Sequence, residues 1–258
     1  MTGKCDSFIV NRQENQYTKN KAVRQALVKA TDFTAIRDLV YPGGNVFDWP
    51  AMAGDAFYTP LNQMPAKIQD MWTYDSAKAK QMLADAGYPD GFSLEITVQS
   101  ESPTQQDVAQ LLVNQWAKAG ITLTIKTVDA TQRENLGNTH KFDLIYFSMG
   151  PSNFINETNR VLSTAIGATY TASEPFDNLW WTMDKEPDPV KRAADGKALA
   201  VAMLDDVGWL PMADQAANNY WWPWMKNYYK EIDTGYVNKL AMINRVWIDQ
   251  SLKVSMGH

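Results

Sequence analysis

One segment of the sequence, residues 74–98, constrains the possible folds more than any other. Asp75 or Ser76 can act as the N-cap of a helix that continues to Ala86 with apolar residues at helical spacing. Gly87 follows, where a left-handed residue would end the helix, and a Tyr-Pro-Asp-Gly turn comes next. The residues after this turn alternate between apolar and polar side chains, which predicts a strand.

The same order of helix, glycine and strand recurs downstream, where Gly120 separates a second helix from a second strand. Predicted strands cover residues 7–11, 92–98, 121–128, 142–147 and 242–248, with an extended segment at 207–212. Predicted helices cover residues 21–38, 76–86, 104–119, 131–137, 154–162, 175–183 and 189–206, and a last short helix starts at Asp249. Because strands and helices alternate, the sequence predicts an α/β fold with a mixed or mainly parallel sheet flanked by helices.

Composition excludes several classes of protein. The net charge of -5 and the isoelectric point near 5.1 argue against a nucleic-acid partner. No apolar run approaches the roughly 20 residues that a membrane-spanning helix needs. The single cysteine, Cys5, cannot form an internal disulfide. The polar residues at the start of the chain predict no signal peptide, which leaves a cytoplasmic protein or a piece of a longer one.

The histidine content argues against most catalytic templates. The chain has two histidines, His140 and His258, and it contains none of the common hydrolase, phosphate-loop or dinucleotide-binding motifs. His140 stands beside Lys141 in a predicted turn, where a solvated side chain is expected. The sequence therefore predicts a binding module and no enzyme.

Acidic side chains do not form a convincing metal site either. Asp184, Glu186 and Asp188 resemble a calcium pattern, but two prolines interrupt it and no bidentate glutamate follows. The pair Asp205 and Asp206 stands at a predicted helix end, where a solvated surface is expected. No metal and no cofactor are predicted.

Three motifs together resemble one protein family. The first is NKAVRQALVKATD at residues 20–32, the second is YDSAKAKQMLADAGYPDGF at 74–92, and the third is QWAKAGITL at 115–123. Their order and spacing are similar to those of family 5 of the extracytoplasmic solute-binding proteins of ABC importers, which includes the oligopeptide, dipeptide and nickel binders. The similarity extends over roughly residues 8–256, and the motif at 74–92 is its most specific part.

Members of this family have two lobes that close on a solute, and the resemblance implies that this chain is the C-terminal lobe. The expected fold is a periplasmic-binding-protein-like lobe of the class II type. Residues 1–14 would be a hinge-proximal segment, 15–220 the second lobe, and 221–258 a tail that returns toward the missing N-terminal lobe. The implied partners are a solute and an ABC permease in the membrane, and the implied location of the full-length protein is periplasmic or extracytoplasmic.

The terminal region is rich in tryptophan. Packing in a core or interface is the expected role of these side chains, and stacking on a ligand is the alternative. In the family, this region contacts the first lobe. The sequence therefore predicts that four tryptophans mark an interface with that lobe and are exposed in this chain alone: Trp221, Trp222, Trp224 and Trp247.

Solutes of the family lie between the lobes. The resemblance implies contacts from the loop at residues 47–58 and from the turn at residues 147–156. The side chains expected to contact the solute are Trp49, Phe147, Ser148, Met149, Asn153 and Asn156. Aromatic faces together with amide and hydroxyl groups at the carboxyl end of a strand suit an uncharged or zwitterionic polar solute.

One departure from the peptide binders bears on the solute. Those relatives carry acidic residues in this turn, which pair with the α-ammonium group of the ligand. In this chain the turn at residues 147–156 contains no acidic residue, and the first one after it is Glu157. Losing that ion pair in a desolvated cleft would weaken the binding of a simple peptide. Sugars, opines and modified peptides are therefore candidate solutes together with peptides. In the alternative interpretation, Ser152 and Asn153 only cap the following helix.

Two other functions remain open at this point. The same fold serves as the solute-sensing domain of some transcriptional regulators, which an upstream helix-turn-helix would indicate. A small hydrolase with an unrecognised site is the other alternative, and turnover of a generic ester or peptide would indicate it.

Overall fold

The computed structural model describes residues 5–46, 50–149, 154–158, 174–214, 220–229 and 244–257. Five strands form one sheet in the order β3-β2-β4-β1-β5, and two short strands pair separately. The strands are β1 (Cys5–Val10), β2 (Phe92–Gln99), β3 (Ile121–Val128), β4 (Leu144–Met149), β5 (Trp209–Asp214), β6 (Met225–Lys226) and β7 (Trp247–Ile248). The described part of the segment at 1–14 thus contributes an internal strand to the large sheet.

Helices flank the sheet, and most of them follow the predicted pattern. They are α1 (Lys21–Lys29), α2 (Phe33–Val40), α3 (Ala66–Met71), α4 (Ser76–Asp85), α5 (Pro103–Ala117), α6 (Ala130–Asn138), α7 (Phe154–Thr158), α8 (Glu174–Lys185), α9 (Pro189–Asp206) and α10 (Gln250–Ser255). A 3-10 turn covers Leu61–Gln63. The α/β fold with a mixed sheet and flanking helices is confirmed.

Strand direction gives the sheet two distinct ends. Strand β2 runs parallel to β3 and β4, whereas β1 runs antiparallel to both β4 and β5. Four strands therefore end where β1 begins, and we call this the carboxyl end of the sheet. Cys5 pairs there with Met149 on one side and with Asp214 on the other. The opposite, amino end contains the last residue of β1 and the first residues of β4 and β5.

The motif at residues 74–92 forms the predicted helix and turn. Asp75 is the N-cap of α4 and accepts a hydrogen bond of 2.9 Å from the backbone N–H of Lys78. Gly91 leads into β2 with a φ of +73°, and a Cβ atom there would lie 1.8 Å from the carbonyl oxygen of Gly120. Only glycine allows this approach, because both residues lead into the paired strands β2 and β3.

The long helix predicted over residues 21–38 is wrong, because the chain forms α1 and α2 with a break between them. The hydroxyl of Thr31 donates to the carbonyl of Leu27, and the carboxylate of Asp32 accepts from the backbone N–H of Ala35 as the N-cap of α2. The side chain of Gln115 in turn accepts from the backbone N–H of Asp32. These polar side chains satisfy backbone groups that a continuous helix would have used.

Arg24 anchors α1 to Asp206, and the expectation that Asp206 is a solvated surface group is wrong. The guanidinium of Arg24 donates to the backbone carbonyl of Asp206 and to its carboxylate, both at 2.9 Å. Arg12 forms an ion pair with the same carboxylate, and burial lowers the pKa of both arginines, opposed by the charge of Asp206. Asp206 is therefore the shared counter-ion of two buried cations and no solvated surface group.

Asp205, the neighbour of Asp206 in the sequence, forms a second and more exposed set of ion pairs, with Lys21 and Lys67. Burial favours a higher pKa for Asp205, but hydrogen bonds and charge from the two lysines outweigh it, and the pKa is lowered. The pKa of Asp205 is lower in the folded chain than in the unfolded chain. Its ion pairs therefore stabilise the fold above about pH 4, and this stabilisation is lost as the pH falls further.

The terminal tryptophans are only partly exposed. Trp221, Trp222 and Trp247 are 37%, 57% and 52% exposed, as predicted for an unpaired interface. Trp224 is 6% exposed and stacks on Trp222 with ring centroids 4.6 Å apart, so the prediction is wrong for Trp224. The prediction failed because β6 and β7 pair across this segment and give the ring a local packing site. Contact of the other three rings with a first lobe remains a prediction.

Candidate functional site

Three of the predicted solute contacts, Phe147, Ser148 and Met149, lie at the end of β4 and so at the carboxyl end of the sheet. Trp49 and Asn153 lie outside the described residues. Ser148 and Met149 are the last two residues of β4, and Asn156 lies on α7. Phe147 is the one predicted contact whose side chain is described.

The ring of Phe147 is half-buried and packs edge-on against Trp209, with centroids 5.4 Å apart and an interplanar angle of 89°. The carbonyl of Phe147 accepts a hydrogen bond of 2.8 Å from the hydroxyl of Ser7 on β1. Phe147 is therefore held by the neighbouring strand β1 through the hydrogen bond, and by β5, the strand beyond β1, through the ring contact. Such a ring offers a fixed apolar surface for a ligand.

The two segments predicted to contact the solute meet each other. Phe57, from the loop after α2, stacks on Phe154, from the turn after β4, with centroids 4.5 Å apart and an interplanar angle of 19°. Phe154 is buried and Phe57 is partly buried. The backbone N–H of Phe57 also donates to Asp55, which fixes the local turn. The described parts of the two segments thus pack directly against each other.

A glycine that the sequence analysis did not single out makes room for this stack. Gly196 is buried in the middle of α9, and a Cβ atom there would lie 2.2 Å from Cδ1 of Phe57 and 3.2 Å from Sδ of Met183. The ring of Phe57 therefore lies between α9 and the ring of Phe154. Glycine in a helix interior disfavours the helix by about 1 kcal/mol relative to alanine. A glycine in the middle of the helix predicted over 189–206 was therefore the sequence signal that could have pointed to Gly196.

Gly196→Ala should destabilise the chain by about 1 kcal/mol, because overpacking that costs about 1–3 kcal/mol outweighs the gain in helix propensity. Urea unfolding followed by circular dichroism measures the change. In a Phe57→Ala background the clash is gone, so the same substitution should stabilise by about 0.5–1 kcal/mol. Stabilisation by Gly196→Ala in the unaltered chain would show that Phe57 does not occupy this place.

A buried carboxylate is the second feature that the sequence analysis missed. Asp6 on β1 is 2% exposed and accepts hydrogen bonds from the hydroxyls of Tyr41, at 3.0 Å, and Tyr146, at 2.6 Å. Tyr41 follows α2 and Tyr146 precedes Phe147 on β4. An acid in a strand that ends in Phe-Ile-Val was a possible signal, but the partners of Asp6 are distant in the sequence.

His140 lies at the other end of the molecule. Its carbonyl accepts from the side chain of Asn11, just beyond the last residue of β1, so it belongs to the amino end of the sheet. Within the described ranges, no three histidine, cysteine, aspartate or glutamate side chains are grouped so as to hold a metal ion. A search of the helices in the same ranges finds none that is long and apolar enough to span a membrane.

A family model described as bacterial extracellular solute-binding proteins, family 5 Middle, matches residues 3–165. Among curated proteins, the chain is 30% identical over 224 residues to Heme-binding protein A of Haemophilus influenzae, which covers 80% of this chain and 39% of that protein. It is 26% identical over 207 residues to the glutathione-binding protein GsiB of Escherichia coli K12, covering 75% of this chain and 39% of that protein.

Solved structures give the same result. The structure of HbpA2 from Haemophilus parasuis matches with a TM-score of 0.73 and 26% identity, over 81% of this chain and 42% of that one. The chain therefore spans about two fifths of the length of the proteins that it matches.

Proposed function

The chain belongs to the family 5 bacterial extracellular solute-binding proteins, and we propose that it is the second, C-terminal lobe of such a protein, serving an ABC importer. In this proposal, the lobe captures a small polar solute against a first lobe and delivers it to a membrane permease. Residues 15–220 form the lobe, 1–14 the hinge-proximal segment, and 221–258 the tail that returns to the first lobe. The full-length protein would act outside the cytoplasm, in the periplasm.

One observation carries the lobe assignment. The first residue of β1 and the last residue of β5, Cys5 and Asp214, pair with each other at the carboxyl end of the sheet. A chain that enters this lobe through β1 and leaves it through β5 therefore crosses the boundary between the two lobes twice, at neighbouring positions. Two adjacent crossings of this kind form a two-strand hinge. The proposed contacts on β4, Phe147, Ser148 and Met149, lie at this same end, so a solute there would face the first lobe.

The solute class follows from the side chains at this end. We propose Trp49, Phe147, Ser148, Met149, Asn153 and Asn156 as the solute contacts of this lobe. Phe147 supplies a rigid aromatic surface, and Ser148, Asn153 and Asn156 would supply hydroxyl and amide groups. Without an acid between Ser148 and Phe154, an unmodified peptide amine finds no counter-charge in this turn. Modified peptides, sugars and opines join peptides as the proposed solutes.

Two relatives are named for particular solutes, heme and glutathione, and both belong in a test. Glutathione has the chemistry of a modified peptide, which agrees with the proposed class. Because His140 lies at the amino end of the sheet, it would not serve as an axial ligand of a heme bound at the carboxyl end. The relatives give no support to the alternative of a transcriptional regulator, and a family of binding proteins gives no reason to propose catalysis.

A thermal-shift screen of the complete gene product tests this function. The probes are glutathione, dialanine, octopine, mannohexaose and heme, each at increasing concentration. A solute that binds the folded state stabilises it by RT ln(1 + [L]/Kd), about 2.7 kcal/mol at 100 times Kd. We expect a saturable rise in the melting temperature with one class of probe. If all five classes leave the melting temperature unchanged, the proposed solute range is wrong.

A further inference from the structure

Asp6 connects three parts of the candidate site through one side chain. It lies on β1, the proposed entry strand of the hinge, and pairs in register with Ser148, a proposed solute contact. Its two carboxylate oxygens accept from different tyrosines, Oδ2 from Tyr41 and Oδ1 from Tyr146. All three side chains are buried, with 2% of Asp6, 4% of Tyr41 and 6% of Tyr146 exposed. The carboxylate cannot touch a solute, so any role in binding is indirect.

Each tyrosine adjoins a segment proposed to contact the solute. Tyr41 is the C-cap of α2, and its carbonyl accepts from the backbone N–H of Gly44, which starts the loop that contains Trp49. Tyr146 directly precedes Phe147 on β4 and packs edge-on against Phe8, with centroids 5.9 Å apart. The two hydroxyl contacts therefore fix the starts of both segments relative to the same strand.

The pairing of β1 with β5 changes beside Asp6. Cys5 pairs with Asp214 but Ser7 pairs with Pro211, so two steps along β1 correspond to three steps along β5. This is a β-bulge in β5 opposite Asp6, a feature that bends strands and is common beside functional sites. The bulge lies at the point where the chain would pass into the first lobe.

We propose that Asp6 is a positioning residue for solute binding, an inference that rests on the proposed function. By holding Tyr41 and Tyr146, its carboxylate sets the loop after α2 and the turn after β4 at a fixed distance from the hinge strand. Both segments are then already held in place before the solute arrives. A site that is ordered in advance loses less entropy on binding, which increases affinity.

Hydrogen–deuterium exchange on the complete gene product gives a test that needs no solute. In Asp6→Ala, the amides of residues 42–46, 50–58, 147–149 and 154–158 should exchange at least about ten times faster, while exchange in β3 stays unchanged. Asp6→Asn should be protected almost like the unaltered protein, because an amide can accept from one tyrosine and donate to the other. Uniformly faster exchange would show that Asp6 only stabilises the core, and unchanged exchange would show no role; both overturn the proposal.

A binding titration of the same variants is the second test of the role of Asp6. The probe is whichever of glutathione, dialanine, octopine, mannohexaose or heme the unaltered protein binds. Asp6→Ala should weaken its affinity at least about tenfold and Asp6→Asn less than about threefold. Equal losses in both variants would mean that charge matters and not position, which contradicts the proposal. If Asp6→Ala does not fold, Tyr41→Phe and Tyr146→Phe should show the same local increase in exchange. If no probe binds, the proposed function fails while the exchange result still decides the role of Asp6.

Discussion

Asp206→Ala should destabilise the folded chain by about 3–5 kcal/mol, because it removes the shared counter-ion of two buried arginines. The side chains of Arg12 and Arg24 are 7% and 4% exposed, and both form ion pairs with this carboxylate. Burial already lowers the pKa of both arginines, which shows the cost of desolvating their charges. Without Asp206, two like charges remain close together in a poorly solvated place. Urea unfolding monitored by circular dichroism and tryptophan fluorescence measures the loss.

Asp205→Ala is the matched control, because it removes the same group from the adjacent position of the same helix end. Its partners Lys21 and Lys67 are 46% and 69% exposed, so they regain water when the carboxylate is lost. The expected loss is less than about 1 kcal/mol. Similar losses for the two substitutions would contradict the distinction between a buried and an exposed ion-pair set.

Phe154→Ala should also cost about 3–5 kcal/mol, the usual range for deleting a buried phenylalanine. The ring is 1% exposed and stacks on Phe57, so its removal opens a cavity between two segments of the candidate site. Helix α7 would retain its other anchor, the hydrogen bond of 3.1 Å from the indole of Trp180 to the hydroxyl of Thr158. Differential scanning calorimetry of the variant measures the loss of stability.

Phe154→Leu separates packing from stacking. Leucine fills much of the same volume, so the loss of stability should stay below about 1.5 kcal/mol. The complete gene product carrying Phe154→Ala should in addition bind its solute more weakly, since Phe57 would lose the ring that holds it. Stability changes below about 1 kcal/mol for Phe154→Ala would contradict the buried stack.

Elements with a strong local pattern were predictable from the sequence. Strand β3 and helix α9 have the predicted bounds, because alternation over 121–128 and helical spacing between Pro189 and Asp206 leave little choice. Helix α3 was missed because it is short and directly follows Pro65 among polar residues. The break between α1 and α2 was missed because helical spacing continues across it, while Gln115 helps to fix the break from elsewhere in the chain.

The resemblance singled out two segments as a candidate site, and their role in binding a solute stays a prediction. The described residues Phe57 and Phe154 of these segments touch each other. Gly196 and Asp6 could not be found because their importance depends on contacts between residues far apart in the sequence. Trp224 was wrongly expected to be exposed, because the resemblance gave no information on the pairing of β6 with β7 or on the stacking of Trp224 on Trp222.

The central claim is that this chain supplies one of two surfaces that close on a solute. Isothermal titration calorimetry should therefore be run with the solute identified by the screen, once with the complete gene product and once with the 258-residue chain. The account predicts that the complete protein binds at least about 100-fold more tightly, or about 2.7 kcal/mol. Equal affinity in the two samples would contradict it, since this chain would then contain the whole binding site.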